Sequence, residues 1–289
     1  MRIECIADTK CTLGEGPVWD ERAGELYWVD IKAPAIWRLD ARTRKTQSMA
    51  LDHRVGAVAL RERGGLIAAL KPGFAFVSWN GRVEIVASPE ANLPTNRFND
   101  GACDARGRFW AGTMDDEETA PTGHLYRLDP DRTVTRFDAG FVITNAIRWN
   151  AKGERMYFVD SAQRTIWAYD FDLERGQPGQ RRVFAQLAEA DGWPDGLCVD
   201  AEDNVWGAHW GAGRITRYSP DGTKLQTIAI PAPNVTCCTF GGANLDTLYV
   251  TTARIGLSAE QLAQHPKAGG TFAVTGLERI RFRRNHSLS

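Results

Sequence analysis

The sequence of 289 residues lacks several features that would direct it to a membrane or to a common class of hydrolase. No apolar run approaches the roughly 20 residues that a membrane-spanning helix needs, and the N-terminus shows no apolar core of a signal peptide. There is no Gly-x-Ser-x-Gly motif and no glycine loop of the type that binds phosphate. We therefore expect a cytoplasmic protein without membrane association, and a serine-hydrolase mechanism has no support.

Cysteine and net charge are equally uninformative about partners. The six cysteines include no Cys-x-x-Cys pair, which favours free thiols over a disulfide framework or a thiolate metal site. A formal net charge of −1 gives no electrostatic reason to expect nucleic acid as a partner. A small molecule is the expected partner, and the oligomeric state is left open.

What the sequence does contain is a repeat that runs from end to end. Each unit starts with a position, polar in all copies except the one at Val55, that is followed by a small residue, and continues as a short apolar strand, a turn and a second strand. The starting position recurs at residues 15, 55, 100, 145, 195 and 236, with the spacing of β-propeller blades. The repeat predicts an all-β fold, a six-bladed propeller with four antiparallel strands per blade, as a single domain over residues 1–289.

The two ends of the chain complement each other in this scheme. Residues 2–7 form a strand pattern before the first full repeat, whereas the last repeat has no strong outer strand of its own. An N-terminal strand that joins the last blade would close the propeller and remove two open sheet edges. We expect the propeller to close in this way.

Because the first strand of every blade lines the central channel, the starting positions should converge at one end of it. Four of them carry carboxylate or amide side chains: Glu15, Asp100, Asn145 and Asp195. Buried like charges repel one another, so this group needs a counter-charge, and a bound cation is the simplest one. Oxygen ligands favour a hard divalent ion such as Ca²⁺, Mg²⁺ or Mn²⁺.

Neighbouring antiparallel strands bring further residues to the same rim. The ends of the second strands should contribute three more candidates: Asp30, Asp160 and His209. Arg97 and Asn99, and the acidic insertion at 114–123, open there too. His209 could contact a substrate or hydrogen-bond within the pocket wall. A divalent ion at this rim would polarise an ester or lactone carbonyl and activate water, while a carboxylate accepts the proton.

Six short motifs follow one another along the chain: LGEGPVW (13–19), NRFNDG (96–101), AGTM (111–114), TN (144–145), PDG (194–196) and FGG (240–242). In this order they resemble the regucalcin/senescence-marker-protein-30 and gluconolactonase family over essentially the full length. Members of that family are six-bladed propellers that hydrolyse sugar lactones with one divalent metal ion.

The resemblance implies that Glu15, Asn145 and Asp195 bind the metal and that Asp195 is the general base. It also implies that Arg97 and Asn99 hold the hydroxyls and ring oxygens of a substrate such as gluconolactone or a pentonolactone. Family members work with Ca²⁺, Zn²⁺, Mn²⁺ or Fe²⁺, so the identity of the divalent metal stays open.

Two positions depart from the family pattern. The substrate-contacting glutamate of the acidic loop corresponds either to Glu117 or to Glu118, depending on how the loop is aligned. Ala146 stands where many members have glycine, which is tolerated if the backbone angle there is ordinary.

Two alternative functions remain. One is a phosphotriesterase or arylesterase of the propeller type, which would be expected to have an apolar pocket. The other is a non-catalytic calcium-binding regulatory protein. The polar character of Arg97, Asn99 and the acidic loop favours a polyol substrate.

Overall fold

The computed structural model describes residues 1–277, in which 24 strands form six antiparallel sheets of four strands each. The sheets are the blades of a six-bladed β-propeller, so the fold predicted from the repeat is confirmed. The innermost strand of each blade contacts the innermost strands of both neighbouring blades, which closes the ring around the channel. Residues 278–289 of the predicted domain lie outside the described part of the chain.

The strands of each blade follow one another from the channel outward. Blade 1 consists of β2 (Gly14–Asp20), β3 (Glu25–Asp30), β4 (Ala35–Asp40) and β5 (Thr46–Ala50). Blade 2 consists of β6 (Val55–Leu60), β7 (Leu66–Leu70), β8 (Gly73–Val77) and β9 (Val83–Ala87). Blade 3 consists of β10 (Asn96–Cys103), β11 (Phe109–Asp115), β12 (Gly123–Leu128) and β13 (Val134–Phe141). Blade 4 consists of β14 (Thr144–Trp149), β15 (Arg155–Asp160), β16 (Thr165–Asp172) and β17 (Gln177–Gln186). Blade 5 consists of β18 (Trp193–Val199), β19 (Val205–Trp210), β20 (Arg214–Tyr218) and β21 (Lys224–Ala229). Blade 6 consists of β22 (Asn234–Gly241), β23 (Thr247–Ala253), β24 (Thr271–Thr275) and, outermost, β1 (Arg2–Ala7).

The last blade takes its outer strand from the N-terminus, as expected. β1 pairs antiparallel with β24, with Arg2 opposite Thr275 and Cys5 opposite Phe272. A short helix, α1 (Ala259–Gln264), lies between β23 and β24. No helix within residues 1–277 is both long enough and apolar enough to cross a membrane.

Large aromatic side chains fill the space between blades. Trp28, Trp110 and Trp206 are fully buried in the second strands β3, β11 and β19, and the last two occupy equivalent places. The indole N–H groups of Trp110 and Trp206 donate to the turn carboxylates of Asp104 and Asp200, each at 3.0 Å. A buried indole needs such a partner, so these two aspartates stabilise their hairpins.

Every innermost strand has a β-bulge close to the starting position of its repeat. The pairing with the second strand shifts register between residues 15 and 18, 55 and 57, 98 and 100, 145 and 147, 194 and 197, and 235 and 237. A bulge bends the strand and redirects the side chains next to it. The positions identified from the repeat are therefore the places where the channel-lining backbone turns.

Candidate functional site

A cavity of about 430 Å³ lies where the first strands begin, a size typical of small-molecule sites. One wall holds six residues that the sequence predicted: Glu15, Arg97, Asn99, Glu118, Asn145 and Asp195. A second group of lining residues is apolar and consists of Leu13, Met114, Ile143, Trp193, Trp210 and Ile255. The cavity thus combines a charged wall with an apolar wall, which the sequence did not indicate.

Glu15, Asn145 and Asp195 come from β2, β14 and β18, and all three side chains are buried. Asp195 Oδ1 has no hydrogen-bond partner among residues 1–277. Burial raises the pKa of Asp195, and the neighbouring charge of Glu15 raises it further. Burial also raises the pKa of Glu15, with the charge of Asp100 as the next cause. The two carboxyl groups therefore lie in an environment that opposes their negative charge.

This donor set fits a hard divalent cation. Within the described chain, no three His, Cys, Asp or Glu side chains are grouped so that they could hold a metal ion. A site at Glu15 and Asp195 would therefore need the amide oxygen of Asn145 as its third protein ligand. Carboxylate and amide oxygens suit Ca²⁺, Mg²⁺ or Mn²⁺, and a cation would offset the charge of two buried carboxylates.

Asp100 does not line this cavity, although the repeat places it at the same register. Its Oδ1 accepts a hydrogen bond from the Gly101 amide at 2.6 Å and lies 3.8 Å from Arg148 Nη2. Arg148 and Gly101 line a separate cavity of about 100 Å³. Asp100 thus has a counter-charge within the protein that the repeat did not reveal.

Arg97 is buried against the polar wall. Its Nε donates to Asp116 Oδ1 at 2.9 Å, and its Nη1 donates to Asn99 Oδ1 at 2.5 Å. Burial lowers the pKa of Arg97 to about 10, so the guanidinium stays charged at neutral pH. Asn99 Nδ2 donates to Thr144 O at 2.7 Å and to Asn145 Oδ1 at 3.1 Å. Asn99 therefore connects the predicted substrate anchor Arg97 to the predicted ligand Asn145.

Of the two glutamates that the sequence left open, Glu118 lines the cavity. Its Oε1 lies 4.0 Å from Arg97 Nη2, and its backbone φ is 61°. Both glutamates are exposed, but Glu117 does not belong to the cavity wall. The structure therefore favours Glu118 as the glutamate that could reach a ligand.

Sequence reasoning missed a cluster of basic residues around Asp116. The carboxylate of Asp116 is paired with four cationic side chains: Lys32, Arg54, Lys71 and Arg97. Lys32 also lines the cavity. Lys32, Arg54 and Lys71 lie in three different loops, none of them at a starting position of the repeat, so the periodic pattern carried no signal for them.

Asp30, Asp160 and His209 lie at the ends of second strands, as predicted, and each is bonded to the backbone of the loop that enters its own blade. Asp30 accepts from Thr12 N (2.7 Å) and Leu13 N (3.0 Å), Asp160 accepts from Ile143 N (3.5 Å), and His209 Nδ1 donates to Asp191 O (2.8 Å). None of the three lines the cavity. Burial lowers the pKa of His209 to about 4. In this structure the three side chains hold loops that carry the cavity wall.

The backbone just after two candidate ligands is unusual. Gly16, after Glu15, has a φ of 53°, and Ala146, after Asn145, has a φ of 35°. Positive φ favours glycine. Ala146 therefore does not have the ordinary backbone angle at which alanine would replace glycine without strain. The alanine is held in this conformation at the bulge of β14.

Comparison with known proteins places the chain among related propellers. The family model described as SMP-30/Gluconolactonase/LRE-like region matches residues 13–254. Regucalcin from Macaca fascicularis is 39% identical over 285 residues, which cover 96% of this chain and 95% of that protein. The calcium-binding protein regucalcin from Agrobacterium tumefaciens superposes with a TM-score of 0.94 at 29% identity, covering 99% of this chain and 96% of the other. A luciferin-regenerating enzyme gives a TM-score of 0.93 at 30% identity, covering 100% and 99%.

Proposed function

Because the chain belongs to the SMP-30/gluconolactonase/LRE-like family, we propose that it is a metal-dependent lactonase that opens a sugar lactone to the free sugar acid. One observation carries the proposal. Two buried carboxylates, Glu15 and Asp195, line a cavity of small-molecule size together with the amide of Asn145, and one oxygen of Asp195 has no hydrogen-bond partner in the described chain. A cation and a substrate would complete this arrangement.

Glu15, Asn145 and Asp195 would hold the divalent ion, which when bound polarises a carbonyl and lowers the pKa of water. Asp195 would accept the proton that the attacking water loses. As the ester bond between the carbonyl carbon and the ring oxygen breaks, that proton ends on the ring oxygen, which becomes a hydroxyl group. The products are a carboxylic acid and an alcohol in one open chain.

The two walls of the cavity suit the two faces of a sugar lactone. Arg97 and Glu118 place opposite charges 4.0 Å apart on one side, where they would bind hydroxyl groups and ring oxygen. Trp193 and Trp210 also line the cavity, and their rings would pack against the carbon face of the sugar. Gluconolactone or a pentonolactone is the proposed class of substrate.

The apolar residues that line the cavity are also compatible with a second enzymatic function. Trp193, Trp210 and Ile143 would also accommodate an aryl ester, as a propeller arylesterase or phosphotriesterase would require. The name of the Agrobacterium relative describes a calcium-binding protein, which supports a non-catalytic role as the other alternative. One assay distinguishes a lactonase from the esterase or phosphotriesterase and from the calcium-binding protein.

The assay measures hydrolysis of gluconolactone, pentonolactones, an aryl ester and a phosphotriester by metal-free protein and after addition of Ca²⁺, Mg²⁺, Mn²⁺, Zn²⁺ or Fe²⁺, corrected for spontaneous hydrolysis. We expect sugar lactones to be preferred and at least one ion to restore turnover. Metal removal should lower the melting temperature but leave the β-structure intact, because the apolar core does not involve the ion. Full turnover by metal-free protein would refute the mechanism, and metal binding without hydrolysis of any ester would favour the calcium-binding role.

A further inference from the structure

A continuous chain of hydrogen bonds crosses the polar wall and passes through Ser161, a residue that the repeat did not single out. Its links are Arg97 Nη1 to Asn99 Oδ1 (2.5 Å), Asn99 Nδ2 to Asn145 Oδ1 (3.1 Å), Asn145 Nδ2 to Ser161 Oγ (3.0 Å) and Ser161 Oγ to Pro194 O (2.7 Å). The chain starts at a proposed substrate anchor and ends on the residue before Asp195. It therefore connects two of the three proposed metal ligands.

The chemistry of its two ends fixes the direction of every link. A guanidinium only donates, so Asn99 presents its oxygen to Arg97 and its NH₂ group to Asn145. A backbone carbonyl only accepts, so the Ser161 hydroxyl hydrogen goes to Pro194 O. The Ser161 oxygen must then accept from Asn145 Nδ2. The amide of Asn145 consequently has one orientation that satisfies both neighbours.

We propose that Ser161 is a positioning residue that orients the Asn145 amide for metal binding and ties it to the backbone beside Asp195. The inference rests on the proposed function, since it takes Asn145 and Asp195 as metal ligands. Asn145 Oδ1 has two lone pairs, and Asn99 uses one of them, which leaves the other for an ion. Ser161 itself is buried and held by its own amide, which donates to Ile143 O at 3.0 Å.

Loss of the hydroxyl should reduce metal affinity. In Ser161→Ala, Asn145 Nδ2 loses its acceptor and the amide keeps only its contact with Asn99. Groups that brace a metal ligand typically contribute about 10- to 100-fold in affinity, so a weakening of about 10-fold or more is expected. Ser161→Thr keeps the hydroxyl and adds one methyl group to a side chain that borders the cavity. The threonine variant should therefore bind metal nearly as wild type does.

Thr165 provides a matched control in the same blade. Its hydroxyl is buried and donates to Gln163 O at 2.8 Å, but it has no link to the cavity. Thr165→Val removes this hydroxyl at nearly constant shape and should leave metal affinity unchanged. A second control uses Asn145→Asp, whose carboxylate has no N–H that needs an acceptor. In that background the effect of Ser161→Ala should largely disappear.

Isothermal titration of metal-free protein with Ca²⁺ and, separately, Mn²⁺ tests the proposal without an activity assay. Support requires weaker binding by Ser161→Ala, recovery in Ser161→Thr and loss of the effect in the Asn145→Asp background. Wild-type affinity in Ser161→Ala, or an equal loss in both backgrounds, would overturn it and leave the proposed function standing. Failure of the wild type to bind Ca²⁺, Mn²⁺ or any of Mg²⁺, Zn²⁺ and Fe²⁺ in the same titration would overturn both this proposal and the proposed function. If Ser161→Ala does not fold, Ser161→Cys, with a similar volume and weak hydrogen bonding, takes its place.

Discussion

Replacement of Asp195 by asparagine would separate the two roles proposed for its carboxylate. The variant keeps the side-chain shape and one oxygen but loses the negative charge and the basic group. Metal binding should therefore weaken without vanishing. Turnover at saturating metal should stay about 10²- to 10⁴-fold below wild type, which corresponds to about 3 to 5 kcal/mol, because a general base contributes that much.

Asn145→Ala provides the comparison, since it removes a neutral ligand and leaves Asp195 in place. The amide of Asn145 makes one hydrogen bond with Asn99 and one with Ser161. Loss of the ligand oxygen, together with the two hydrogen bonds that orient it, at about 0.5 to 1.5 kcal/mol each, should weaken metal affinity. A sufficient excess of metal should therefore restore most of the turnover in this variant.

The measurement is the initial rate of lactone opening against metal concentration for the wild type and both variants. The lactone is the one that the wild type opens fastest, and spontaneous hydrolysis is subtracted. If Asp195→Asn reached wild-type turnover at saturating metal, Asp195 would be a ligand only. The base would then be sought at Glu15 or Glu118, because these two residues line the cavity whereas Asp30 and Asp160 do not.

The remaining predictions concern other residues of the rim. Arg97→Ala should lower catalytic efficiency about 10-fold or more with little change in metal affinity, whereas Asn99→Ala should lower both, because Asn99 bonds a proposed ligand. Glu118→Gln should reduce kcat/KM more than Glu117→Gln. Because burial lowers the pKa of His209 from 6.5 to about 4, the unfolded chain binds a proton between these pH values that the folded chain does not. Stability should thus fall as pH falls through this window, by on the order of 3 kcal/mol in full, and urea unfolding of His209→Asn should show a shallower decrease.

The fold could be predicted because its information is local and repeated. Each blade carries its own alternation of strands and turns, and six copies at a blade-sized spacing leave little choice of architecture. The closure by β1 followed from the same pattern, since one strand was missing at one end of the chain and one was surplus at the other. No long-range contact had to be known in advance.

The site could be predicted only as far as the repeat reaches. Glu15, Asn145 and Asp195 share a register at the bulges, so their convergence followed from topology. Ser161 and Asp116 do not share this register, and their importance depends on partners more than ten residues away in sequence. Hydrogen-bond direction is a property of a closed network, and no single segment of sequence contains it.

Asp100 shows that an equivalent position in the repeat is not enough to make a residue a candidate metal ligand. By register it matches Asn145 and Asp195, yet it is paired with Arg148, which lies three residues after Asn145 on β14. Arg148 is the weakest of the main influences on the pKa of Glu15, whereas Asp100 is the strongest after burial. The Arg148 guanidinium lies 3.8 Å from Asp100 Oδ1, whereas within residues 1–277 no ion pair joins Glu15 or Asp195 to a cationic side chain. We therefore expect a bound cation beside Glu15 and Asp195, where the described chain supplies no ion-paired counter-charge, rather than beside Asp100.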